Sequence, residues 1–507
     1  MTSSRAKQAR SSIARWIGNT PVLGSITRWM SKKRKTVATA IVITFHIAGA
    51  LSSVNAIMTT RTAQGAIAWA VALNTFPYGT VPAYWIFGRD EFKGYVVARR
   101  DDTFATQPAA NQLMEALRSE ELAARNVGPR GAILEKLAML PFTRGNQVDL
   151  LIDGEATFDA IFDAIDNAED YILVQFYILR DDELGTQLKN KLLTKAKQGV
   201  RVYVLFDEIG SYGLPESYLT DLRAGGVKIS RFHSQKGDTN RFQLNFRNHR
   251  KIVIVDGHVA FVGGHNVGDE YLGKDPEMSP WRDTHVAVRG PAVQCIQIPF
   301  GEDWHWATGE ALYDLNWTPV AAPDGQQEVL SLATGPADPL ETCTLFFLDA
   351  INSATERLWI ASPYFVPDEQ FVSALQLASL RGVDVRILIP EEADSTLVWL
   401  SSFSYLDAME KAGIRTFRYQ PGFLHQKVLL VDDDFASVGT ANFDNRSFRL
   451  NFEITIAVHD STFAAQVATM LETDLEKSVE ASAADFNEAP FYKRLASRFA
   501  RLLAPVQ

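Results

Sequence analysis

The chain has only two cysteines, Cys295 and Cys343, in 507 residues. Two thiols exclude a disulfide framework and a cysteine-built zinc site, and nothing calls for an oxidising compartment. Each lies in an apolar or mixed segment and reads as a buried, inert thiol. Acidic residues are missing from residues 1–35, which hold nine Lys and Arg. The whole chain carries −10, so the remainder sets 41 basic residues against 60 acidic ones, a net −19. That body lacks the cationic excess of a nucleic-acid-binding protein, and no nucleic-acid partner is expected. The basic tail suits an anionic membrane surface. It reads either as a solvated, disordered extension or, through Ile13, Trp16, Ile17, Ile26, Trp29 and Met30, as a broken amphipathic helix around Pro21.

Charge is also absent from residues 36–58 and 62–87. Each stretch is long enough to cross a hydrocarbon core of ~30 Å as a helix. His46 and Asn55 in the first, and Asn74, Pro77 and Pro82 in the second, leave a buried soluble hairpin as the alternative. Trp69, Tyr84 and Trp85 are expected as interface anchors. Only Arg61 separates the stretches, whereas Arg89, Lys93, Arg99 and Arg100 follow the second. This asymmetry predicts a multi-pass membrane protein with its large body on the cytoplasmic side. A long n-region, a second span and the lack of a convincing small-residue cleavage site argue against a signal peptide. The expected organisation is a basic tail (1–35), a transmembrane hairpin (36–88), a membrane-proximal linker (89–148), and two α/β halves (149–325 and 326–507), the second ending in a helix.

What is present in the body is present twice. Residues 171–179, strand-forming, precede a helical segment (184–199) and a buried strand pattern (200–207). Residues 357–366, 368–382 and 383–390 repeat that order, followed by a helix over 395–413 and a strand over 414–419. Alternating strands and helices predict βαβ units, hence a mixed α/β sheet flanked by helices in two pseudo-symmetric halves. One sequence pattern recurs in both. His249, Lys251 and Asp256 are followed after six residues by Gly263, Gly264 and, two positions on, Asn266. His425, Lys427 and Asp432 are followed at identical spacing by Gly439, Thr440 and Asn442.

Residues two apart on a strand share a face, so each His and Lys project together. An imidazole attacks phosphorus or moves a proton near neutral pH, and a neighbouring ammonium neutralises phosphoryl oxygens. Small residues such as Gly264 let the backbone approach a phosphate, and Asn266 and Asn442 offer amide donors. Two facing copies supply one nucleophile and one acid. His258 and His265 fall outside the spacing and read as turn or surface residues.

The duplicated motif resembles the signature of the phospholipase D superfamily. The flanks, Arg247–Gly257, Gly263–Gly273, Trp281–His285, Ser362–Glu369, Leu380–Arg386, Gly422–His425 and Gly439–Ser447, resemble those of bacterial cardiolipin synthases. The resemblance runs from about Thr36 to the C-terminus and implies two phospholipase D-like halves in a protein of the bacterial cytoplasmic (inner) membrane. It also implies a reaction without cofactor or metal. His249 attacks phosphatidylglycerol to give a phosphatidyl-histidine, and His425 acts as acid and then base. Lys251, Lys427, Asn266, Asn442, Gly264 and Thr440 lie at the phosphate. Asp283 and Glu453 resemble carboxylates that orient each histidine, while Asp256 and Asp432 support local structure and charge. The assignment of His249 rather than His425 as nucleophile is the family's alone. The sequence departs from the family at Gln175, where Glu is frequent, and in its long basic extension. Hydrolysis to phosphatidic acid and nuclease-type phosphodiester cleavage are the competing readings, together with a non-enzymatic lipid-binding scaffold. Retention of both His and both Lys speaks against the last.

Overall fold

The computed structural model describes residues 34–88, 108–125, 127–232 and 245–504. The basic tail and its amphipathic pattern lie outside them, as does residue 89 to 107 of the linker. The chain divides into two units, Met1–Asp90 and Glu91–Gln507.

In the first unit, Arg34–Thr59 is one helix. Its segment Lys35–Thr59, 25 residues, is long and apolar enough to cross a bilayer. The second uncharged stretch is not one helix, contrary to expectation. It forms Ala63–Thr75 and Pro77–Phe87, broken at Phe76. Pro77 supplies no N–H to continue the first of these and is suited instead to open the next. The unit is inside-out. Ile43, Ile47, Leu51, Val54 and Ile57 face outward, while Ser52, Ser53 and Ala56 are buried against the returning helices. Gly49 allows that approach, since a Cβ there would stand 2.3 Å from the Leu73 carbonyl oxygen. Asn74 donates to Ser53 Oγ (2.7 Å) and Trp85 to Ser52 Oγ (3.1 Å). Tyr84, expected at the membrane interface, is wholly buried and donates to Asn55 Oδ1 at 2.7 Å.

The second unit is built on one 16-stranded mixed sheet. Its centre is the antiparallel pair Thr143–Ile152 and Gln327–Thr334. Outward from Thr143–Ile152 come Thr284–Arg289, Val259–Gly263, Ile252–Val255, Tyr171–Phe176, Arg201–Asp207 and Lys228–Phe232. Outward from Gln327–Thr334 come Asn451–His459, Phe435–Gly439, Val428–Val431, Arg357–Ala361, Asp384–Pro390 and Arg415–Tyr419, then Ser478–Ala481 at the edge. Apart from the additional edge strand Ser478–Ala481, the two series match strand for strand. In each, the three outer strands of the repeat are parallel, as βαβ connections require, and the motif forms an antiparallel hairpin. Apolar helices cover the faces. Helix Gly128–Ala138 lies in the segment expected to be a linker, and its Leu134 enters the core of the second half with Phe346, Leu358 and Leu429.

Candidate active site

Each motif Asp shapes a hairpin. Asp256 and Asp432 take φ of 54° and 51° at the turn, a left-handed conformation that Asp tolerates better than most residues. The Asp256 carboxylate accepts from the backbone N–H of Glu169, Asp170 and Tyr171, each at 2.8 Å. Asp432 accepts from those of Thr355, Glu356 and Arg357. Both therefore tie the turn to the start of the neighbouring strand, away from the histidines.

The histidines emerge at the other end, and the two halves exchange support there. Arg247–Asn248 pairs in parallel with Asn451–Phe452, and Phe423–Leu424 with Trp281–Arg282. The His249 N–H donates to the Phe452 carbonyl (2.9 Å), and the His425 N–H to that of Arg282 (2.8 Å). The next residue after each accepting carbonyl bears a carboxylate. His249 Nδ1 thus lies 2.9 Å from Glu453 Oε2, and His425 Nδ1 lies 2.7 Å from Asp283 Oδ2. Each imidazole is oriented by the opposite half, with Nδ1 engaged and Nε2 left for chemistry. Both carboxylates are fully buried, and both histidines are 7% exposed.

The small residues after each hairpin serve these carboxylates. A Cβ at Gly264 would stand 1.9 Å from Asp283 Oδ1. At the equivalent position the Thr440 hydroxyl donates to Glu453 Oε2 at 2.6 Å. The sequence placed Gly264 and Thr440 at the phosphate; the structure places them behind the histidines. The asparagines differ too. Asn266 is occupied, accepting from the Ile178 N–H and donating to Tyr271 Oη, each at 3.0 Å. The Asn442 side-chain oxygen is buried without a partner among the described residues.

Lys251 and Lys427 are buried, and each Nζ donates to the carbonyl of its own histidine, at 2.7 and 2.5 Å. Burial drives the Lys251 ammonium well below its ordinary range and Lys427 down to about 8, with Glu453 and Asp283 opposing. Burial likewise lowers His249 to about 4, against the pull of Glu453, and lowers His425 well below its ordinary value, with Lys427 and Lys251 adding to the effect. Both imidazoles are therefore neutral near pH 7. Tyr177 meets the His249 ring edge-on at 5.0 Å, and Trp281 lies 5.1 Å from that of His425.

Sequence reading missed the residue between each His and Lys. Arg250 donates to Asp303 Oδ2 (2.8 Å) and Gln426 to Asp474 Oδ2 (2.6 Å), two aspartates on the helices that follow the carboxylate strands. Their similar positions after Asp283 and Glu453, at offsets that differ by one residue, were the available signal. Gln175 joins the first of these networks, donating to Asn248 Oδ1 (2.9 Å) and Asp303 Oδ2 (2.8 Å). A Glu there would set a second carboxylate against Asp303, so Gln175 is a support of the His249 segment. His265, expected in a turn or on the surface, is fully buried with its Nδ1 3.2 Å from that of His285. That pairing follows from the register that sets Gly263 opposite His285, a tertiary fact that no sequence spacing carried. His258 is in the exposed hairpin turn.

Comparison with known proteins agrees with this architecture. A family model described as cardiolipin synthase, phospholipase D-like domain, matches twice, over residues 161–290 and 347–475, once in each half. Cardiolipin synthase A of Pseudomonas putida GB-1 is 52% identical over 464 residues, covering 91% of this chain and 96% of that protein. The protein of the same name from Pseudomonas fluorescens SBW25 is 50% identical, covering 92% and 97%. Phosphatidylserine synthase of Haemophilus influenzae Rd KW20 shares the fold, with a TM-score of 0.58 at 15% identity over 75% of this chain and all of that one. Two copies of one domain, joined through crossed His–carboxylate pairs, together with this identity over nine-tenths of the sequence, place the chain in the phospholipase D-like cardiolipin synthase family.

Proposed function

We propose that the chain transfers a phosphatidyl group between two phosphatidylglycerol molecules, yielding cardiolipin and glycerol. The observation that carries this reading is the pair of buried, neutral imidazoles, each held at Nδ1 by a carboxylate of the other half. His249 Nε2 attacks the phosphorus of the first lipid, and the Nδ1 proton held by Glu453 stabilises the cation that forms. His425, protonated as the anionic phosphodiester enters beside it, gives that proton to the departing glycerol oxygen. The headgroup hydroxyl of the second lipid then returns a proton to His425 and attacks phosphorus, releasing His249. Lys251, Lys427 and the Asn442 amide hold the phosphoryl oxygens through both steps. One phosphodiester replaces another, so no nucleotide is consumed.

The membrane arrangement belongs to the same proposal. Lys35–Thr59 crosses the bilayer, the Ala63–Phe87 pair returns, and the body lies on the side of the flanking positive charge. The test is purified protein in vesicles of phosphatidylglycerol, with lipids followed by mass spectrometry and glycerol by enzymatic assay. Cardiolipin and glycerol are expected in equal amounts, and neither in His249→Ala or His425→Ala. Phosphatidic acid without cardiolipin would make the protein a hydrolase. Acid-quenched peptide mapping is expected to find the phosphorylated histidine at 249; label at 425 reverses the two roles.

A further inference from the structure

The last helix of the body, Phe491–Leu502, packs the wrong way round for a soluble protein. Its inner face is small: Ser497, Ala500 and, just beyond the helix, Ala504 are buried. Its outer face is large and apolar. Phe491 is 70% exposed, Tyr492 74%, Phe499 63% and Leu502 72%, with Leu495 and Leu503 between them. Packing alone would have turned these rings and leucines inward, since burying each removes apolar area from water. The helix also holds Lys493, Arg494, Arg498 and Arg501 and no acidic residue, in a body that is otherwise strongly acidic. Lys493 covers the rings of Trp399 and Phe403, Arg498 that of Phe486 and Arg501 that of Tyr405. These cation–ring contacts hold the helix on the body and leave the apolar stripe outside.

The place of this helix gives the stripe its meaning. It packs on Thr396–Phe403, and that element follows Asp394. The Asp394 carboxylate accepts from Tyr364 Oη (2.8 Å) and acts on the Lys427 ammonium. The helix is therefore linked to the Lys427 side of the active site through its packing partner and Asp394. The same inside-out pattern, small and polar within, large and apolar without, marks the Arg34–Thr59 helix. We propose that Phe491–Leu503 is an interfacial helix that seats the body on an anionic bilayer, its apolar stripe in the acyl boundary and its exposed Arg494 and Arg498 among the headgroups.

The experiment uses the full chain in nanodiscs and needs no turnover, so it fails or succeeds apart from the transferase assay. Cys295 and Cys343 are buried, which leaves an introduced surface thiol selectively labelled. A fluorophore goes on Phe499→Cys and, as control, on Leu380→Cys. Leu380 is 74% exposed at the C-terminal end of helix Glu369–Leu380, next to where strand Asp384–Pro390 begins rather than where it reaches the cleft. Nitroxides in the acyl chains are expected to quench the 499 probe several-fold more in phosphatidylserine-containing discs than in phosphatidylcholine, and to leave the 380 probe untouched. Arg494→Glu with Arg498→Glu is expected to abolish that difference. An unquenched 499 probe overturns the proposal, as does equal quenching in both lipids. Energy transfer between 499 probes of two copies, independent of lipid, would make the stripe a self-association surface instead.

Discussion

At the scale of single residues, the crossed carboxylates carry the clearest consequence. Glu453 accepts from His249, Thr440 and Asn451 at once and is held below its usual range by His249 and Lys251 despite full burial. Glu453→Gln keeps the shape but lets the imidazole rest in the wrong tautomer. A loss of about 10³–10⁴ in kcat with little change in KM is expected, by analogy with the same change in Ser-His-Asp triads. A loss below tenfold would remove Glu453 from the mechanism. Lys427 sets a pH limit. Its ammonium, lowered to about 8 by burial, is charged below that pH and neutral above it. The kcat/KM for phosphatidylglycerol should therefore fall as pH rises through about 8, because that ratio reads the free enzyme. The kcat limb is expected at higher pH, since a bound phosphate favours the cation. A flat kcat/KM from pH 7 to 10 would show that Lys427 keeps its proton.

At the scale of elements, the hairpin that bears each His and Lys was legible because a strand has a period of two and the motif recurs. Its Asp has a distinct task, and loss of that task is measurable. Asp432→Ala would strip acceptors from the N–H groups of Thr355, Glu356 and Arg357. Thermal or denaturant unfolding should register a loss of about 2–4 kcal/mol, with activity per folded molecule nearly unchanged. A catalytic defect without destabilisation would contradict this. Gly264→Ala should do the opposite: its Cβ would meet Asp283 Oδ1 at 1.9 Å, displacing the partner of His425 and cutting turnover at modest cost to the fold. Other elements were not legible for physical reasons. The stretch 62–87 carries enough apolar residues for one span, but Pro77 breaks it into two helices, an outcome set by a single missing N–H. Tyr84 looked like an interface anchor because its partner Asn55 lies on a different helix.

At the scale of the whole molecule, two-fold repetition explains why the site was readable as residues but not as contacts. Spacing showed that each half contributes a His and a Lys. It did not show that each half's carboxylate serves the other's histidine, because strand exchange such as Asn248 with Phe452 is a tertiary event. The repetition also exposes where the halves differ. His265 and His285 occupy positions whose counterparts in the second half are Ala441 and Thr455. Burial lowers both to about 3 and His249 to about 4, from an ordinary 6.5. Below pH 6.5 the unfolded chain binds a proton at each of these positions and the folded chain does not, until pH approaches 4 and then 3. Stability should therefore be at its full value above about pH 6.5 and fall as the solution is acidified. These three groups cost on the order of 2 kcal/mol each at pH 5, and His425, lowered by the same burial, adds to the drop. Unfolding measured at pH 7.5 and pH 5 should show that drop. The paired substitution His265→Ala with His285→Thr, which copies the second half, should remove the part due to those two residues, about 4 kcal/mol at pH 5, while leaving His249, His425 and their carboxylates in place. An unchanged pH dependence in that variant would mean that the pair is already protonated in the fold, and that acid sensitivity arises elsewhere in the acidic body.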